Sequence, residues 1–464
     1  MTRPSAPDSV FGWVNADNMA WLTDLYELTM ADSMFRQGRN DWATYDLFVR
    51  RLPHGRAFLV AAGLSQALLY LRDMRFSEEG LAFLGQHRCL TPGFIDYLRH
   101  FRFSGDVWAI AEGEVYFPPE PLLRIAGPRI EVQVVESFLL NTFNAQSMWA
   151  SKAARITLAA QGRSVIDMSL RRDHGMDAAM KVARASYIAG AAGTSNVLAG
   201  ITYDIPSYGT MAHAYIMSFD TELAAFRAFA EDCPTNVVLL IDTYDTLRGA
   251  DHAIIVAKEM AERGEQLRGV RLDSGDVGEL SKAVRARLDA AGLTDVMILL
   301  SGDLDEYSIQ RLLAEGAEVD SFGVGTNLGT SPDDPSLGAV YKLVEDGAGP
   351  RAKLSTGKAT LPGSKQVWRF HDPQGYMSHD LLALADETPP ADGEPLLQHV
   401  MHAGDLVGEL PTLDQMRERC LTRLNELPPE LRKMEGFCSH SVYISPALEA
   451  LKERAYALAV RAEG

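Results

Sequence analysis

The stretch from Val237 to Asp276, "VVLLIDTYDTLRGADHAIIVAKEMAERGEQLRGVRLDSGD", decides the fold. A run of branched apolar residues ends at Asp242. An amphipathic segment with apolar residues at helical spacing then runs to Gly264, where glycine is the usual helix stop, and a second β-patterned run ends at Asp273. The same unit recurs on both sides. Upstream, "RSVIDMSLRR" precedes "AAMKVARASYIAG"; downstream, helical patterns stop at Gly292 and Gly316 around the strand-like "VMILLSGD", and "EVDSFGVGT" closes the series. The last four strand ends, near Asp242, Asp273, Ser301 and Gly325, recur every 24 to 31 residues. That rhythm is a βα repeat with parallel strands. An open doubly wound sheet and a closed barrel both fit it. Polar or glycine residues at every strand end, where a barrel places its chemistry, favour an irregular (βα) barrel.

Outward from this core, residues 1–135 mix helical "LTDLYELTMADSMF" with strand-like "YDLFVRRL" and "GDVWAIAEGEVYFPPEPLLRI", which predicts a separate N-terminal α/β domain. The barrel is expected over 136–345. Residues 346–464 are expected to form a small C-terminal α/β region; "YKLVED" at its boundary, "KQVWRFHD" and "LLQHVMHAGDLV" suggest a small sheet, and the last stretches are helical.

Composition narrows the class. In 464 residues, 47% are hydrophobic and 23% charged, which describes a globular chain of two or three domains. The net charge of −18 argues against a general nucleic-acid or anionic-membrane surface, so an anionic ligand must meet a local arginine cluster. The N-terminal "MTRPSAPDSVFGWVNADNMAW" lacks a signal-peptide pattern, and no apolar run is long enough to span a bilayer. Four cysteines far apart, with no CxxC pair, give neither a disulfide framework nor a zinc site and fit a reducing cytoplasm.

Several constellations carry chemistry. Gly302 in "LLSGD", and Gly323, Gly325 and Thr326 in "GVGT", fall on the last two strand ends, where exposed backbone N–H groups bind phosphate without net positive charge; alone, such glycines equally make tight turns. Arg171 and Arg172 lie at another strand end. Arg271 lies inside a β-patterned run beside Asp273 and Asp276. Its planar fork suits a substrate carboxylate or phosphate, although a strand arginine commonly pairs with a protein acid. Asp242, Asp273 and Asp276 either hold a divalent metal with phosphate or orient the arginines. Asp24 and Glu27 have capping-box spacing, which puts Tyr26 in a first helical turn. His213, in "YGTMAHAYIMSFD", sits between two alanines, and composition does not distinguish a reactive imidazole from a core one.

Taken together, "TDLYELTM", "FVRRLP", "EGEVYFPPEPLLRI", "LRR", "GTSNVLAG", "GTMAH", "GVRLDSGD", "SFGVGTNL" and "SHSVYISPALEALK" resemble the nicotinate phosphoribosyltransferase family, in family order. The resemblance implies a three-part enzyme that joins nicotinate to 5-phosphoribosyl-1-pyrophosphate, yielding nicotinate mononucleotide and pyrophosphate in NAD salvage. It further implies that ATP, as its Mg2+ complex, phosphorylates His213 and drives synthesis, and that the chain is a homodimer with a shared active site. By the same resemblance Tyr26 stacks on the pyridine ring, Thr210 and Arg271 address the nicotinate carboxylate, and Gly302, Gly323, Gly325, Thr326 and Arg171 serve the phosphates, with Asp242 and Asp273 as supporting acids. Small neighbours give a phosphoryl-accepting His213 the room it needs. Ala214 departs from relatives with a hydroxyl there, and Asp303 from relatives with asparagine, so Asp303 has no assigned role.

Nicotinamide phosphoribosyltransferase is the nearest alternative; such enzymes resemble this chain at "GTSN" but carry an acid where Ser195 stands, so a neutral Ser195 favours the carboxylate substrate. Quinolinate phosphoribosyltransferase is shorter and lacks the GTMAH histidine. A metal-dependent barrel hydrolase using Asp242, Asp273 and His213, or a silent phosphate-binding module, are the readings from other classes.

Overall fold

The computed structural model describes residues 12, 14–87, 89–353 and 360–463. Most of the N-terminal stretch quoted above, residues 1–11 and 13, lies outside them. Among the described residues no helix is long and apolar enough to cross a membrane.

The βα repeat folds as read. Six parallel strands lie in the spatial order Gly193–Thr194, Ser164–Asp167, Ser321–Val324, Met297–Leu300, Gly269–Leu272 and Val238–Leu240. Helices Met176–Ile188, Thr246–Glu262, Val277–Ala290 and Glu306–Ala314 alternate with them. Gly264, Gly292 and Gly316 follow three of these helices at φ of +77°, +81° and +79°, the left-handed stop that a side chain resists. Among the described residues no ladder joins the two edge strands, so the sheet does not close. Where a closing strand would run, the chain instead forms the short helices Val197–Tyr203 and His213–Met217, with one isolated parallel bridge between Thr194 and Ser207. The expected irregularity is thus a gap, and the GTMAH segment lies in it.

A seven-stranded sheet interleaves both ends of the chain, in the order Gly349–Pro350, Ala339–Asp346, Trp42–Val49, Pro121–Pro128, Asp106–Ile110, Leu397–His402 and Asp405–Leu406. Of the three C-terminal segments read as one small sheet, only Lys365–His371 enters a sheet built there, beside Met377–Leu384, Glu394–Pro395 and Ser441–Ile444; the other two join the N-terminal strands. Period-2 patterning identifies a strand but not its neighbours. The Asp24–Glu27 capping box also does not form. Asp24 caps helix Leu25–Arg36 without a side-chain bond and accepts instead from the Ser137 hydroxyl at 2.7 Å, while Glu27 is buried against the Gln133 amide.

The helix Glu136–Ala159 is the spine between these layers, with buried residues around most of its circumference. The charged groups that this helix buries are paired. Lys152 Nζ lies 2.7 Å, and Arg155 Nε 3.0 Å, from the two oxygens of the fully buried Glu306, and Lys152 also reaches Asp333 at 2.9 Å. Trp149 Nε1 donates to the Gly329 carbonyl at 2.8 Å. One helix therefore grips the segments that follow both glycine turns.

A second buried carboxylate ties the sheets together. Glu112 accepts from Gly63 N at 2.6 Å, Ser65 N at 3.0 Å and the two Arg184 Nη atoms at 2.7 and 3.0 Å. Burial pushes its pKa up, but Arg184, Ser65 and Gly63 outweigh burial and hold it at about 2, below the usual 4.5. A depressed folded-state pKa contributes stability above the unfolded value that is lost as pH falls toward the folded one. Glu112→Gln should therefore lower the unfolding free energy at pH 7 by about 3 kcal/mol, since it also leaves Arg184 unpaired. In urea melts the gap between the two proteins should narrow as pH falls below about 4.5; a pH-independent gap would contradict the assignment.

Candidate active site

The site grows from strand Gly269–Leu272. Val270 and Leu272 are fully buried, so the alternation of side chains sends Arg271 to the other face, where it is 16% exposed. The guanidinium is held at three points. Nε donates to Ser301 Oγ at 2.8 Å, Nη2 to Asp273 Oδ1 at 2.6 Å, and Nη1 to Thr210 Oγ1 at 3.4 Å. Ser301 also donates to Asp273 Oδ1 at 2.5 Å. Asp242, on the neighbouring strand end, accepts from Asp273 N at 2.8 Å and from Ser274 Oγ at 2.7 Å. Burial raises the Asp273 pKa, but Ser301, Arg271 and His213 outweigh it, and the carboxyl stays below its ordinary range. Arg271, Thr210, Asp273 and Asp242 thus form one hydrogen-bonded chain across neighbouring strand ends. The other oxygen of Asp242, Oδ1, is buried without a protein partner.

His213 opens the helix His213–Met217, and its Nδ1 lies 3.1 Å from Thr243 Oγ1, the residue after Asp242. Ala212 and Ala214 on either side are exposed, and the ring is partly so. When Nδ1 carries the proton and donates to Thr243, the Nε2 lone pair is free. His213 is therefore not a core residue. Thr243 and Ser274 are singled out by no motif of the sequence. Their signal is position alone, a hydroxyl residue directly after a strand-end aspartate.

The glycine turns are packed against each other. Gly302 adopts φ +96°, and a Cβ there would lie 2.2 Å from the Asp273 carbonyl oxygen, so only glycine lets this turn sit on the neighbouring strand end. Asn327 Nδ2 donates to the carbonyls of Asp303 and Leu304 at 3.2 and 3.1 Å, which locks the Gly302 turn to the one carrying Gly325 and an exposed Thr326. A Cβ at Gly323 would meet Met168 Sδ at 2.6 Å. Arg171 is exposed on the turn after Ser164–Asp167. Ser169 anchors that turn, its hydroxyl lying 2.5 Å from Asp167 Oδ1 and 3.2 Å from Asp173 Oδ2. Burial, with the Asp167 charge, pushes Asp173 up to about 6. Asp276 proves to be a helix cap, accepting from Glu279 N at 3.2 Å.

Tyr26 stands apart from this chain of contacts. It is 50% exposed and lines a cavity of about 340 Å³ with Glu136, Asn144 and Ser336. A larger cavity of about 540 Å³ shares Asn141, Asn144 and Ser336 with it and continues to His174, on the loop that carries Arg171, and to Met176 at the start of the following helix. Neither cavity is walled by Arg271 or His213.

Comparison with known proteins places this arrangement. Three family models match: the nicotinate phosphoribosyltransferase N-terminal domain over residues 21–144, the nicotinate phosphoribosyltransferase family over 163–344, and the corresponding C-terminal domain over 390–452. The chain belongs to the nicotinate phosphoribosyltransferase family. It is 49% identical over 418 residues to nicotinate phosphoribosyltransferase pncB2 of Mycobacterium tuberculosis, an alignment covering 90% of this chain and 89% of the relative. It is 44% identical over 383 residues to the Bacillus subtilis nicotinate phosphoribosyltransferase, covering 80% and 77%. Among solved structures, human nicotinic acid phosphoribosyltransferase superposes with a TM-score of 0.84 at 33% identity, over 93% of this chain and 99% of that one. Nicotinate-nucleotide pyrophosphorylase from Pyrococcus furiosus gives 0.73 at 26% identity, over 92% and 99%. The family segments bracket the geometry described above, with Arg271, His213 and the glycine turns all inside the central one.

Proposed function

We propose that this chain is an ATP-coupled nicotinate phosphoribosyltransferase of NAD salvage. The observation that carries the proposal is the join between Arg271, Thr210, Asp273 and Asp242 at one set of strand ends, with His213 beside them. Arg271, fixed by Ser301 and Asp273, presents its remaining N–H groups and Thr210 to the nicotinate carboxylate. The backbone turns at Gly302, Gly323 and Gly325, with Thr326 and Arg171, receive the phosphoribosyl phosphates. The pyridine nitrogen then attacks the ribosyl carbon, the bond from that carbon to pyrophosphate breaks, and pyrophosphate leaves with the electron pair. Positioning and charge neutralisation supply the acceleration, and no protein nucleophile on carbon is needed.

His213 serves the coupling. Nε2 takes the terminal phosphoryl group of ATP, forming a P–N bond as ADP departs, while Thr243 holds Nδ1. The buried, unpartnered Asp242 Oδ1 and the Asp273 carboxylate fit the Mg2+ that accompanies the polyphosphates and would neutralise their charge. Two exposed apolar groups, Leu22, Leu25 and Tyr26 at one place and Val197, Leu198 and Ile201 at another, support a homodimer with a shared active site, to which Tyr26 contributes its ring. Light scattering should give about twice the chain mass of 50.9 kDa, and a monomer in active preparations would overturn this part. Three exposed free cysteines, Cys89, Cys233 and Cys438, support a reducing cytoplasm, which cell fractionation tests.

His213→Ala should abolish ATP hydrolysis and acid-labile phosphate incorporation yet leave slow, ATP-indifferent mononucleotide synthesis. Retained ATP stimulation and labelled phosphate would overturn the phosphohistidine. Arg271→Lys keeps the charge but loses the planar fork, so KM for nicotinate should rise more than tenfold, the scale of about 2–5 kcal/mol for disrupting a buried charge contact. An unchanged KM in the folded variant removes Arg271 from the substrate.

A further inference from the structure

The edge hairpin of the seven-stranded sheet, formed by Leu397–His402 and Asp405–Leu406, carries two histidines three residues apart. In a regular strand such residues face opposite sides. Here the register against strand Asp106–Ile110 shifts between His399 and Met401, adding one residue to the hairpin strand. Such a bulge re-aims the side chains beyond it. Leu397 and Met401 stay buried, while His399 and His402 both emerge on the exposed side next to Asp106. His402 Nδ1 lies 2.8 Å, and His399 Nε2 4.0 Å, from the same Asp106 oxygen. One potential donor atom from each of the three residues lies within 4.8 Å of the others.

We propose that Asp106, His399 and His402 form a binding site for a divalent transition-metal ion of the zinc class, separate from the nucleotide chemistry. Metal bonds of 2.0–2.2 Å at the tetrahedral angle put donor atoms about 3.3 Å apart, a value bracketed by the 2.8 and 4.0 Å distances, so small side-chain rotations complete the set. Two of the three ligands are supported from outside the set. The His399 ring stacks on Trp108 at 4.6 Å and 14°, and Trp108 is covered by the Arg124 guanidinium at 4.1 Å. Asp106 Oδ1 accepts the Ala403 N–H at 2.8 Å, which fixes the carboxylate to the hairpin turn. Such outer contacts orient metal ligands and raise affinity. Two imidazoles with one carboxylate favour zinc, nickel or copper over magnesium or calcium, which take oxygen donors. Three protein ligands leave a position for water. A bound ion would cross-link the hairpin to its neighbouring strand.

The test uses full-length chain without a histidine tag, stripped with chelator and titrated calorimetrically with ZnCl2 or MgCl2. Wild type should bind one more Zn2+ per chain than His399→Ala/His402→Ala, and this extra ion should bind at least tenfold more tightly than Mg2+. Asp106→Asn should weaken it at least tenfold, and mononucleotide synthesis should be unchanged in every variant. Equal zinc stoichiometry and affinity in the double variant, or equal affinity for Mg2+, would overturn the site. Should the double variant lose its circular-dichroism melt, the single His402→Gln variant decides: tenfold weaker zinc binding supports the site, and wild-type binding overturns it.

Discussion

Glu306 is the constraint on which the active end of the sheet depends. It is fully buried, and a buried carboxylate is tolerable only with partners, which Lys152 and Arg155 supply from one helix. Because Glu306 opens the helix directly after the Gly302 turn, this ion cluster fixes that turn to the spine helix. The same helix holds the Gly325 turn through Trp149 and Gly329, and Asn327 closes the triangle by joining the two turns. Both backbone loops proposed to receive phosphate are thus set before any ligand arrives. Preorganisation of this kind is what lets positioning and charge neutralisation accelerate a ribosyl transfer.

Arg271 shows the same logic at the end proposed to meet nicotinate. A strand arginine pointing into a parallel sheet must be neutralised, and Asp273 with Ser301 does so on one side only, leaving N–H groups turned toward Thr210. A chain of net charge −18 can in this way attract anions locally. The gap between the edge strands does related work. Lacking a closing strand, the sheet leaves room for the segment that carries Thr210 and His213, and so brings an imidazole beside the Arg271 chain.

What was legible in the sequence follows from what is local. The βα units, their glycine stops and the polar strand ends rest on periodicity and turn chemistry within a few residues, and all appear in the structure. Strand partnership is not local, which is why Ala339–Asp346 and Leu397–His402 read as parts of a C-terminal sheet, and why the polar strand ends that favour an irregular barrel do not tell whether its edge strands join. The Asp24–Glu27 spacing misled for a similar reason: Ser137 and Gln133, more than a hundred residues away, compete for both carboxylates. Among the residues singled out, Arg271, Asp273 and Asp242 lie at neighbouring strand ends and join through hydrogen bonds, and Thr210, which only the family resemblance pointed to, contacts Arg271. Tyr26 does not reach them within one chain, a relation that no reading of a single sequence could supply.

The central claim is that Arg271 selects a ring bearing one carboxylate, with Ser195 offering no acid to attract an amide. Incubating the protein with 5-phosphoribosyl-1-pyrophosphate, ATP, Mg2+ and an equimolar mixture of nicotinate, nicotinamide and quinolinate, then resolving the mononucleotides by mass, tests it in one tube. The account predicts nicotinate mononucleotide as the dominant product, formed with release of pyrophosphate; predominant nicotinamide mononucleotide, or no mononucleotide from a folded protein, would contradict it.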